Sequence, residues 1–256
     1  MNTSENRIFH PAALAVLALP ALLSCAHQYN LPANKFESPE VSGRRYKPQI
    51  ELPVLQTGPQ LLIKPNASAS AAENSTPKLT SFALNYALGF AAGLDERVDA
   101  GARIQPNGPV AFRGRYQFYG NPSATADPGN IAAALSAGSG ISMVADTVGA
   151  NDSRMDTTAF YYKFDVGLSA GGRISRKLLI YLGGSFDYYG YGGSIKPLSG
   201  PGASFSGSAM QLALHGGLRF NYDAFFLHLE ASKASTTSGK INNLMYYPGV
   251  VAGMQF

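Results

Sequence analysis

His215, His228 and Glu230 fall close together in the sequence, and a histidine beside a carboxylate is the pairing that general-base chemistry needs. If a tight turn at 221–223 lays the two flanking segments side by side, His215 and Glu230 become neighbours. No nucleophile accompanies them, because the G-x-S-x-G pattern is absent. The glycine-rich stretch 136–140 lacks the lysine and hydroxyl residue that complete a phosphate-binding loop. The one cysteine, Cys25, excludes a disulfide framework and a cysteine-based zinc site, and no other metal-ligand spacing is present. These polar residues are therefore expected to satisfy one another, with no catalytic residue, metal or cofactor.

Asp99, Arg103, Arg113, Arg115, Lys163, Asp165, Arg173, Asp187 and Arg219 share one property with that trio: each falls on the small or polar side of a period-two pattern. The clearest stretch is 82–94. Phe82, Leu84, Tyr86, Leu88, Phe90, Ala92 and Leu94 occupy one face, and Ala83, Asn85, Ala87, Gly89, Ala91 and Gly93 the other. A soluble sandwich would put the large apolar face inward and bulky charged residues outside. Small residues opposite a large apolar face suit the crowded inside of a narrow barrel whose outside meets lipid. The named charges then point into the lumen, where six bases face four acids. The expected arrangement is an interlocking network of salt bridges, with Asp165 opposite Asp187, Arg103 beside Arg113, and Arg115 one layer along.

Composition agrees. Only 14% of residues are charged, against about a quarter in an average soluble chain, and glycine is abundant at 28 of 256. A net charge of +4 without basic runs excludes a nucleic-acid footprint. No apolar stretch after the N-terminus is long enough for a membrane helix.

Nine alternating segments can be counted between Leu79 and Phe256. Even strand numbers are the rule for single-chain outer-membrane barrels, so a tenth strand is expected in 46–63 despite Pro48, Pro53 and Pro59. Short turns at 95–97, 175–177 and 221–223 fall at one end, and longer Gly, Ser and Asn-rich loops at 64–79, 142–156, 190–207 and 233–242 at the other. Tyr188, Tyr189, Tyr191, Tyr246 and Tyr247 are expected in an outer aromatic belt.

The N-terminal stretch has a basic residue, Arg7, and a short apolar core at 12–23, as in a secretory signal peptide. Its end, Leu22, Leu23, Ser24 and Cys25, resembles the bacterial lipobox. That resemblance implies removal of 1–24 and acylation of Cys25 as the one covalent lipid group, anchored in the inner leaflet; the polar composition of 25–45, with Pro32 and Pro39, reads as a flexible tether. The last strand, alternating through Met254 to a terminal Phe256, resembles the assembly signal of outer-membrane β-barrels, and 93–103 is similar to porin hairpins. The resemblance implies a single closed antiparallel all-β barrel over 46–256, with both termini on the periplasmic side. It also implies three partners: outer-membrane lipid, the barrel-assembly machinery and the lipoprotein-sorting machinery. The expected function is non-enzymatic, structural or weakly permeable to small solutes. The alternatives are a surface adhesin or binding barrel acting through 142–156 and 190–207, and a barrel hydrolase.

Overall fold

The computed structural model describes residues 27–63, 78–105, 108–148, 155–197 and 202–256. Its regular elements are strands: β1 (His27–Asn30), β2 (Pro48–Ile63), β3 (Lys78–Asp95), β4 (Val98–Ile104), β5 (Val110–Tyr119), β6 (Ile131–Val148), β7 (Met155–Ser175), β8 (Leu178–Pro197), β9 (Ala203–Tyr222), β10 (Phe225–Ser238) and β11 (Ile241–Gln255). Strands β2 to β11 form an antiparallel ring in sequence order, which β11 closes by pairing with β2. Closure follows from the apolar outer face: lipid offers no partner to backbone N–H and C=O groups, so each strand must be paired on both sides.

Ten strands make the ring, as the parity argument requires, and the proline-bearing 46–63 supplies the tenth. Its ladder to β3 breaks register between Glu51 and Val54 and again between Gly58 and Gln60, on either side of Pro53 and Pro59. Bulges at those points take up the missing donors.

Leu168, Leu182, Leu212 and Leu214 are exposed on the outer face, while their sequence neighbours Ser169, Ala213 and His215 are buried. The molecule is thus a membrane-type barrel with an apolar outside and a polar inside. The strands run further than their composition suggests. β7, β8 and β9 have 21, 20 and 20 residues, and most of the loop expected at 142–156 and 190–207 is strand. The expected loop 233–242 is a two-residue turn between Ser238 and Ile241, with Gly239 at φ 57°. Glycine and serine at these strand ends do not break the ladder, because each backbone group still has a partner across it.

Two features of the described N-terminal segment differ from what the sequence suggests. First, 27–42 is not a flexible tether: almost every residue in it is buried, and it runs through the lumen. Polar side chains that would be solvated outside find partners of opposite charge within. Second, the two ends of the described chain lie at opposite ends of the barrel. Phe256 donates its N–H to the Pro48 carbonyl at the start of β2, whereas His27 pairs with Ile63 at the far end of β2. From His27 the chain descends antiparallel to β2, with Leu31 N–H donating to Pro59 O and Ala33 N–H to Thr57 O, both at 3.0 Å.

The wall is shaped for this passenger. A Cβ at Gly58 would stand 2.1 Å from the Leu31 carbonyl oxygen, and one at Gly93 would stand 2.3 Å from that of Arg44. The small inward residues make room for a chain inside the barrel.

Candidate functional site

The filled lumen is the site, and its contacts change character from one end to the other. Near the Ile63 end it is apolar. Tyr29 stacks on Tyr161 at 4.6 Å between ring centroids, within a buried cluster of Leu31, Leu61, Tyr189, Tyr191 and Phe205. Tyr189, Tyr191 and Tyr247 therefore belong to the interior rather than to a lipid-facing belt; Tyr246 faces outward. Their position in the alternation, not their aromatic character, decides the face.

Below this cluster Asn34 replaces missing ladder bonds. Its Nδ2 donates to the Tyr247 carbonyl, and its Oδ1 accepts from the Thr57 N–H, each at 2.8 Å. Lys35 pairs with Asp187. Asp165 and Asp187 face each other directly across the β7–β8 ladder. Like charges at directly opposed positions repel, and two lysines offset them. Lys163 Nζ lies 2.9 Å from Asp165 and 3.2 Å from Asp187, and Lys35 completes the group.

Glu230 binds backbone. It accepts from the N–H groups of Lys35 (2.6 Å) and Phe36 (2.8 Å), and from the Tyr181 hydroxyl (2.6 Å). Register sets Glu230 opposite Gly217 and His215 opposite Ser232, so the candidate His215–Glu230 pair does not form. His215 has no hydrogen-bond partner at either ring nitrogen among the described residues, nor has His228 at Nε2. Both rings pack on Tyr181.

The arginines grip the same segment. Arg103 and Arg113 each donate to the Lys35 carbonyl, at 2.9 and 3.0 Å, and Arg115 donates to that of Ser38 at 2.7 Å. Each guanidinium also has an acid. Arg103 binds Glu51 through two N–H groups at 2.8 and 3.2 Å, and Arg115 binds Asp99 at 2.6 Å. Arg113 Nε lies 2.8 Å from Glu37 as an ion pair without hydrogen-bond alignment, and Glu37 also accepts from Ser136. The ladder sets Gly101 opposite Arg113 and Asp99 opposite Arg115, so Arg103 and Arg113 are diagonal rather than side by side. Arg219 donates to Ser38 Oγ at 3.1 Å and lies over the Phe226 ring.

Towards the Pro48 end, Arg173 holds Glu40, and Asn130 adds a bond to the same carboxylate at 2.9 Å. Asp99 accepts from the N–H and hydroxyl of Ser42 at 2.9 and 2.8 Å. At the mouth, exposed Arg45 meets Asp95 in the β3–β4 turn.

All twelve lumen residues singled out from the sequence thus lie on the inward face. Four were missed: Lys35, Glu37, Glu40 and Glu51. The signal was the surplus of two positive charges in the expected lumen, since these four together carry two net negative charges and bring it to seven cations facing seven carboxylates. Met254 lies in the β11 ladder opposite Phe225, and Cys25 lies outside the described residues. Beside Phe36 a cavity of about 80 Å³ remains, walled by Glu51, Arg103, Arg115, Arg219 and His228. That is room for a handful of waters, at roughly 10–15 Å³ each.

No protein-family model and no curated protein matches the chain. Among solved structures it is similar to Ail, the attachment invasion locus protein of Yersinia pestis, at 14% identity and a TM-score of 0.34, covering 83% of this chain and 100% of that one. Ail in complex with the heparin analogue sucrose octasulfate gives 13% identity and 0.36 over the same coverage. The CymD monoaromatic hydrocarbon channel gives 8% identity and 0.25, covering 91% of this chain and 95% of that one. At these values the similarity transfers no activity.

Proposed function

We propose that this chain is a non-enzymatic outer-membrane β-barrel lipoprotein whose lumen is closed to solutes by its own N-terminal segment. The observation that carries this reading is the run of contacts from Tyr29 to Ser42, which binds each level of the lumen to the segment. A solute would have to displace those contacts, and leaving one member of a buried ion pair alone costs about 3–5 kcal/mol. The barrel is then structural, a wall built around a fixed strand, rather than a porin. Lipidation at Cys25 supplies the second attachment, and assembly through Phe256 uses the barrel-assembly machinery.

Planar-bilayer recording of the full chain tests closure. The expected result is no steady conductance, and a steady ion current from the unmodified protein overturns the reading. Cys25→Ala should lose acyl label, and an unmodified Cys25 in mature membrane-bound protein refutes the lipoprotein part.

One observation favours a second reading, a surface adhesin or binding barrel. β7, β8 and β9 are about twice the 9–11 residues needed to span a bilayer. Met155, Pro197 and Ala203 therefore end strands beyond the lipid, and in the sequence the connections to the neighbouring strands at these ends are 149–154 and 198–202. Loss of cell or matrix attachment on shortening these two connections, with the barrel still assembled, would establish that role.

A further inference from the structure

We propose that the barrel carries its own N-terminus through the membrane, so that the chain preceding His27 leaves at the loop mouth and faces the cell exterior. The direction of travel rests on contacts met in order. His27 pairs with Ile63; Lys35 meets Asp187; Glu37 meets Arg113; Glu40 meets Arg173; Ser42 meets Asp99; Arg45 meets Asp95 in the β3–β4 turn. The β1–β2 pairing is antiparallel, so a chain entering at the other mouth could not meet these partners in this sequence. Only after Arg45 does the chain reverse into β2, beside Phe256.

Length permits the crossing. Extended over 27–45 the segment reaches about 60 Å, against roughly 40–45 Å for a bilayer with its headgroups. The mouth at Phe256 carries the tight turns after β3, β7 and β9, the pattern of a periplasmic face. The Ile63 mouth is then the outer one. β2 ends and β3 begins at that mouth.

A consequence rests on the lipoprotein reading above. Cys25 precedes His27 by two residues in the sequence. On that reading an acyl group on Cys25 is carried on the outer side of the membrane, not the inner one. The barrel becomes a conduit that places a lipid-bearing N-terminus on the cell surface.

The test places a short epitope between Ala26 and His27 in the full chain and labels intact cells with a membrane-impermeant antibody. The same epitope within 198–202 is the outer control, and within the 223–224 turn the inner one. Labelling equal to the outer control supports the proposal. Labelling only after permeabilisation, as for the inner control, overturns it. Acyl-probe incorporation is scored separately: its absence sinks the lipoprotein reading and leaves the threading to the epitope. If the insertion blocks assembly, Ala33→Cys with Thr57→Cys in a Cys25→Ser background replaces it. These opposed positions should form an intramolecular disulfide in the assembled barrel, and failure to cross-link refutes the threaded path.

Discussion

Arg173 and Glu40, 133 residues apart, form a pair inside the barrel in which the guanidinium Nε donates to both carboxylate oxygens at 3.1 Å and Nη2 adds a further bond. Both side chains are almost wholly buried. The geometry ties the N-terminal segment to the β7–β8 hairpin. Glu40→Ala should destabilise the barrel by about 3–5 kcal/mol by leaving Arg173 buried and unpaired. The double variant Glu40→Ala with Arg173→Ala should lose less than the two single variants summed. Urea titration followed by heat-modifiable gel migration measures both, and additive losses would show that the pair is not coupled.

Arg113→Ala separates a filled lumen from a water-filled one. Arg113 holds Glu37 and the Lys35 carbonyl, so its removal should cost about 3–5 kcal/mol through the orphaned Glu37. It should open no steady current. A stable variant whose parent conducts, and which has lost an anion preference, would make this a small porin.

Gly58→Ala should disturb the segment without altering any charge. The added methyl meets the Leu31 carbonyl oxygen at 2.1 Å, where neither backbone can yield cheaply. Proteolysis within 27–42 should quicken. Gly114→Ala, where a Cβ has nothing within 4 Å, should leave the cleavage rate unchanged. Equal rates in both variants would contradict the close fit.

Lipid-face and lumen-face substitutions should differ in kind. Leu212 and Leu168 are 63% and 51% exposed on the outer face, and arginine near the bilayer midplane there should cost about 2–4 kcal/mol. Ser169, 3% exposed, faces the filled interior, so Ser169→Arg should act by crowding out the segment. Unfolding titrations in lipid should show loss of stability for the first two. The third should show faster proteolysis of 27–42. Tolerance of arginine on both faces would reverse the assignment of inside and outside.

Period-two alternation determined nine strands of the barrel and which of their side chains turn inward, and the even-number rule supplied the tenth. A side chain's face follows from its own position along a strand, which is a local property. That Asp165 would oppose Asp187 was legible for the same reason, since a tight hairpin sets its own register. The contents of the lumen were not legible. Residues 27–45 show little alternation and two prolines, and their burial comes from partners such as Asp187, Arg113 and Arg173, which only the closed ring brings to one axis. The same closure gave Glu230 to the segment's backbone rather than to His215. Registry across a sheet is written in the strands, but what fills the space that the sheet encloses depends on charge and volume summed over all ten. Only the tertiary structure performs that sum.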